Sequence, residues 1–147
     1  ADHWHAEFGR CAQPATDLDV MLAALSDRGM RIGVVTNSTR AAVQNAKIDT
    51  VGIRQHLDSV VVSETVGFEK PDKRIFQMAL AELGLEPNQA WFVGDNPVKD
   101  ILGASAVGLP PVWKRGNLDW PEEHDQPDLQ IDSLEELLPL VDGRAAR

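Results

Sequence analysis

The chain's 147 residues, 43% apolar and 25% charged, make about one ordinary folded domain and exclude fibrous or disordered classes. With 14 basic against 23 acidic residues, its net charge of −9 argues against a nucleic-acid surface, leaving room only for a local basic pocket, and no apolar run is long enough to cross a bilayer. The single cysteine, Cys11, excludes an internal disulfide and a cysteine-based zinc site, and reads as a small apolar residue in a cytoplasmic protein.

Residues 1–8 carry neither an initiating methionine nor the basic-then-apolar pattern of a signal peptide, and read as the continuation of an earlier segment. His3 and His5 invite a metal reading, but on a helix a two-residue spacing points them to different faces. From Thr16 the pattern is helical: Leu18, Met21, Leu22 and Leu25 share a face and Gly29 ends it. Residues 30–35 form a β-branched run closed by Thr36-Asn37-Ser38, the pattern of a buried parallel strand with a polar tip. A helix follows over 39–47, with Asn37 or Ser38 as its cap.

Residues 57–63 are the next strand, running into a polar loop over 64–72. Asp72 then caps a helix with Phe76, Ala79, Leu80 and Leu83 on its apolar face and Gly84 at its end. A turn over 86–89 returns the chain to a strand over 90–93. Gly94-Asp95 closes that strand, Asn96 and Pro97 suit the N-cap and first position of a helix, and the helix runs to about Val107. Short strands at 111–113 and 129–131 flank a surface loop over 117–126. Ser133 and Glu136 then make a capping box for a last helix carrying Leu134, Leu137, Leu138 and Val141, with residues 144–147 fraying.

Strands alternate with helices, so the expected architecture is an α/β, Rossmann-like three-layer sandwich with a mostly parallel sheet, whose ligands bind outside the carboxyl ends of the strands. Thr36, the loop holding Lys70, and Asp95 all lie at or after such ends. Asp100 follows Asp95 by about one helical turn and can face the same point, giving two carboxylates suited to a hard cation such as Mg²⁺. Hydroxyls at Thr36 and Ser38, the opening N–H groups of the next helix and the compact charge of Lys70 suit a phosphate dianion.

Val34-Val35-Thr36-Asn37, Glu69-Lys70-Pro71-Asp72, and Val93-Gly94-Asp95 followed by Asp100 resemble the second, third and fourth motifs of the haloacid dehalogenase-like hydrolase superfamily, in its phosphatase-rich subfamily I. The resemblance covers about residues 16–141. It implies a Rossmann-like core, Mg²⁺ and an aspartyl-phosphate intermediate. In that scheme Thr36 binds phosphate with Asn37 beside it. Lys70 orients the nucleophile and neutralises charge, Asp95 ligates Mg²⁺, and Asp100 ligates it or orients ligating water. The family's first motif, Asp-x-Asp on the first strand, supplies the nucleophile and should precede all of these. The sole Asp-x-Asp here, Asp17-Leu18-Asp19, is a decoy, because Leu18 belongs to the helical face described above.

The chain therefore reads as the C-terminal part of such an enzyme: residues 1–15 as the end of a helical cap, residues 16–147 as an incomplete core, with the first strand and most of the cap missing. A missing central strand would leave two buried strands unpaired, so a separate N-terminal fragment or another copy of the chain is expected as a partner, unless the flanking strands close on each other. The leading function is a Mg²⁺-dependent phosphatase on a small phosphate monoester, inactive as this chain alone. A non-catalytic truncated module and a haloacid dehalogenase are the alternatives, and the Asp95/Asp100 pair favours phosphoryl chemistry over the last.

Overall fold

A computed structural model of the chain describes residues 3–6, 15–51 and 53–145. Among the described residues six strands form one wholly parallel sheet: β1 (His3–Ala6), β2 (Ile32–Thr36), β3 (Ser59–Val62), β4 (Ala90–Gly94), β5 (Pro111–Lys114) and β6 (Leu129–Ile131), in the order β3-β2-β1-β4-β5-β6. The expected α/β sandwich is what forms.

Apolar alternation along the strands builds a core on each face of the sheet. In β4, Trp91 and Val93 join one cluster and Ala90 and Phe92 the other, as the two-residue period of a strand requires. The first face is covered by α1 (Ala15–Asp27), through Leu18, Met21, Leu22 and Leu25, and by α6 (Leu137–Ala145), through Leu137 and Val141. The second is covered by α4 (Lys73–Leu83), where Phe76 meets Phe92 edge-on at 5.0 Å between ring centroids. The remaining helices are α2 (Ala41–Val51), the single turn α3 (Ser63–Val66) and α5 (Gly103–Ala106).

The centre of the sheet departs from expectation. β1 pairs in parallel with both β2 and β4, Trp4 lying opposite Ile32 on one side and Trp91 on the other. Residues 3–6 are thus strand rather than the end of a helical cap, and the helical geometry applied to His3 and His5 does not hold. The flanking strands neither stand open nor close on each other. Their N–H and C=O groups find partners within the chain, so the pairing demand that called for a separate fragment or second copy is met internally. Four residues without an apolar run carry little strand signal, and here the unpaired edges of β2 and β4 decide their conformation. The strand carries His-Trp-His-Ala and no Asp-x-Asp. Of the other residues of the expected cap end, Ala15 opens α1, and 1–2 and 7–14, with Cys11 among them, lie outside the described residues.

Smaller differences are local. The segment 64–72, read as loop, begins with α3, whose end is Gly67 at φ 88°, a left-handed position that glycine adopts without strain. The helix after Pro97 opens as a π-helical turn, Pro97–Leu102, before continuing as α5. The decoy behaves as one: Asp17-Leu18-Asp19 lies within α1, Leu18 is in the core, and Asp19 Oδ1 sits 2.7 Å from His56 Nε2.

Asp72 caps α4 as expected, accepting from the Arg74 backbone N–H at 2.9 Å. The Arg74 guanidinium, and after it that N–H, hold the Asp72 carboxyl at about 2 against an ordinary 3.8. Because the folded value is the lower one, this contribution to stability is complete above 3.8 and is lost as pH falls towards about 2. Across that window the Asp72→Asn variant is expected to lose less stability than the wild type in urea titrations at stepped pH. Parallel losses would show that the cap does not depend on the carboxylate charge.

Candidate active site

Thr36 ends β2, Asp95 directly follows β4, and Lys70 lies in the loop before α4, so the parallel sheet brings all three to its carboxyl edge. They line one cavity of about 520 Å³ together with Asn37 and Asp100. Every residue singled out from the sequence therefore reaches the same place, though with different parts to play.

Lys70 and Asp100 form its floor. Their side chains are 3% and 1% exposed, and Lys70 Nζ donates to Asp100 Oδ1 at 2.8 Å. Nζ also lies 5.7 Å from the centre of the Phe92 ring, so the charge rests on the apolar core. The other carboxylate oxygen, Oδ2, accepts from the Asn96 N–H at 3.0 Å. Both oxygens of Asp100 are thus engaged, which suits it to fixing Lys70 and the turn. Asn96 in turn caps the π-helical turn, accepting from the Val98 and Lys99 N–H groups at 3.1 and 2.9 Å.

Asn37 is used differently from a ligand-facing amide. Its Oδ1 accepts from the Lys70 N–H at 2.8 Å and its Nδ2 donates to the Lys70 carbonyl at 3.1 Å, so its side chain clamps the Lys70 loop to the tip of β2. Ser38 Oγ accepts from the Arg40 N–H at 3.0 Å in the turn before α2, which begins at Ala41 rather than at residue 39. The neighbouring Ala41 N–H donates to Glu64 Oε1 at 3.1 Å.

Thr36 is buried, and its Oγ1 accepts from Gln44 Nε2 at 2.7 Å. A hydroxyl whose oxygen is already engaged by a donor keeps its own hydrogen for an acceptor in the cavity. Gln44 was not singled out from the sequence. Its signal is the eight-residue offset from Thr36, which becomes meaningful only once α2 is known to fold back over the tip of β2. Asp95 is half-buried, and among the described residues its carboxylate has no hydrogen-bonding or ionic partner. Its carbonyl accepts from Trp113 Nε1 at 3.0 Å, which ties the turn to β5.

A buried lysine-carboxylate pair, a strand-tip hydroxyl and an unengaged carboxylate on one cavity are the parts of a site for an anion with a cation. A model of the haloacid dehalogenase-like hydrolase family matches residues 1–114. The chain belongs to that family. It is 36% identical over 121 residues to phosphoserine phosphatase of Thermus thermophilus, across 82% of this chain and 48% of the relative. Its fold is similar to a HAD phosphatase from Thermococcus onnurineus, with a TM-score of 0.75 and 32% identity over 84% of this chain and 56% of that one. The putative HAD-hydrolase YfnB of Bacillus subtilis, in a magnesium-bound structure, is similar with a TM-score of 0.74 and 25% identity over 84% and 54%. The chain spans about half the length of the curated relatives it matches. No helix among the described residues is long and apolar enough to cross a membrane.

Proposed function

We propose that this chain is the phosphate- and Mg²⁺-binding core of a phosphatase that acts on a small phosphate monoester. The observation that carries this reading is the buried Lys70–Asp100 pair set between Thr36 and Asp95 on one cavity. The names of the relatives, a phosphoserine phosphatase and a HAD phosphatase, support it.

The donors fit Mg²⁺. That ion takes oxygen ligands, uses one or two carboxylates and keeps several waters, so a cluster of three acidic or imidazole groups is not needed, and none occurs among the described residues. Asp95 would hold the ion directly, with Asp100 behind it. When bound, the cation supplies charge neutralisation at the transferring phosphoryl group. Magnesium in the Bacillus subtilis relative supports the choice.

The chain's own residues do the rest. Thr36 donates its hydroxyl hydrogen to a phosphate oxygen, and Gln44 keeps that hydroxyl turned the right way. Lys70 places a positive charge against the same group in a site walled by the core, where such a charge acts more strongly than in water. Asp100 and Asn37 hold Lys70 in position. The family resemblance implies an aspartyl-phosphate intermediate, and among the described residues the acids on the cavity, Glu69, Asp95 and Asp100, include no Asp-x-Asp to form it.

By itself, then, the 147-residue chain is expected to hydrolyse an aryl phosphate no faster than background, since uncatalysed phosphate-monoester hydrolysis is extremely slow without a positioned nucleophile. A longer protein that carries the first motif is expected to turn it over in the presence of Mg²⁺. Mg²⁺ titration followed by NMR should show weak binding that perturbs Asp95 and disappears in Asp95→Asn. Turnover by this chain that survives Asp95→Asn would sink the reading.

A further inference from the structure

The rim of the cavity carries more positive charge than a phosphate monoester needs. Arg40, Lys47 and Lys99 line it, all exposed, and among the described residues none has an acidic partner. Elsewhere among the described residues four arginines are matched with acids, Arg28 with Asp142, Arg54 with Asp49, Arg74 with Asp72 and Arg115 with Asp132, while Arg31 donates to the Leu83 carbonyl. In a chain of net charge −9, a cluster of unmatched cations at one opening is a departure from the surface as a whole.

Their placement is ordered. Val43, Gln44 and Lys47 share one face of α2, Arg40 directly precedes its first turn, and all four line the cavity. Gln44 reaches inward to Thr36. Val43, 44% exposed, sits between the two cations as an apolar spot on the same face. Lys99 faces them from the segment that follows β4. Among the described residues the single acid on the rim is Glu69, the other two on the cavity being Asp95 and Asp100.

We infer that this rim is a subsite for a second anionic group on the substrate, so that the preferred substrates are phosphate monoesters whose short carbon chain carries a further phosphate or a carboxylate. The inference rests on the phosphatase reading above. Lys70 and Thr36 take the phosphate that is cleaved, Val43 packs against the carbon chain, and Arg40, Lys47 and Lys99 take the far anion. The two kinds of far anion share this chemistry and differ in charge and shape, which the test separates.

The test is titration of the 147-residue chain in Mg²⁺ at low salt, followed by NMR, with methyl phosphate, phosphoglycolate and propane-1,3-diol bisphosphate. The ligands with a second anion are expected to bind about tenfold more tightly than methyl phosphate, a difference of about 1.4 kcal/mol. Phosphoglycolate ahead of the bisphosphate identifies a carboxylate subsite, and the reverse order a phosphate subsite. In a variant carrying Arg40→Gln, Lys47→Gln and Lys99→Gln the advantage should vanish while methyl phosphate binds as before. Equal affinities in the wild type, or an advantage that survives the triple substitution, would overturn the inference and leave the phosphatase reading standing. Absence of methyl phosphate binding would instead remove that reading, and the second-anion subsite with it.

Discussion

Replacing Asp100 with alanine is expected to destabilise the chain by about 3–5 kcal/mol, because it removes the carboxylate that meets a buried ammonium. Lys70 is 3% exposed and rests against Phe92, so it cannot simply turn into water, and Asp100 is 1% exposed. The substitution also leaves the Asn96 N–H without its acceptor, at the point where the π-helical turn begins. Against the roughly 5–15 kcal/mol by which domains are stable, this is a large fraction of the whole. Urea denaturation should show a lower midpoint with an unchanged slope.

Asp100→Asn, which keeps an acceptor for both partners, should cost less than alanine. The double variant Lys70→Met/Asp100→Leu should cost less than the sum of its single changes, since neither leaves the other's charge behind. A loss below about 1 kcal/mol in Asp100→Ala, the size expected for an exposed pair, would show that the two side chains are not buried together in solution. A pair of this kind adds little net stability over an apolar one. Its value lies in holding Lys70 where a phosphate would meet it.

Gly94→Ala is the second substitution with a large expected effect, and its cause is steric. A Cβ at this position would lie 2.5 Å from the Asp100 Cβ and Oδ2 and 2.6 Å from its Cγ, closer than real atoms approach. Gly94 does not have a positive φ, so the demand is for empty space rather than for conformational freedom. Asp100 cannot yield cheaply, because its Cβ is near the backbone and its oxygens hold Lys70 and the Asn96 N–H. Overpacking of this kind costs about 1–3 kcal/mol, and here it would also displace Lys70. The variant should melt earlier than the wild type, with shifted NMR signals at Lys70 and Asn96. An alanine variant with the wild-type midpoint would show that Asp100 has another place to go.

The same contact explains why the Gly-Asp pair was so legible at the end of an apolar run. Gly94, Asp95, Asn96, Pro97 and Asp100 are close in sequence, so each local preference, for the strand end, the cap and the first turn, can be read without knowing the fold. The strand-helix alternation brings the Lys70 loop to the same edge but does not show its pairing with Asp100, because 30 residues separate the two. The resemblance places Asn37 with Thr36 at the substrate. Its actual partners are the N–H and carbonyl of Lys70, in a loop that no local pattern connects to it.

From the sequence alone one could determine the alternation of strands and helices, the two apolar faces, the caps at Asp72, Asn96 and Ser133, and the set of residues that gathers at the carboxyl edge of the sheet. These follow from periodicity and from local hydrogen bonding, which act over a few residues. Only the tertiary structure decided that His3–Ala6 fills the centre of the sheet, that Asp100 is locked to Lys70, that Gln44 engages Thr36, and that Arg40, Lys47 and Lys99 share one rim. Each of these depends on which distant groups are left unpaired once the sheet and helices have packed, a quantity that no short stretch of sequence contains.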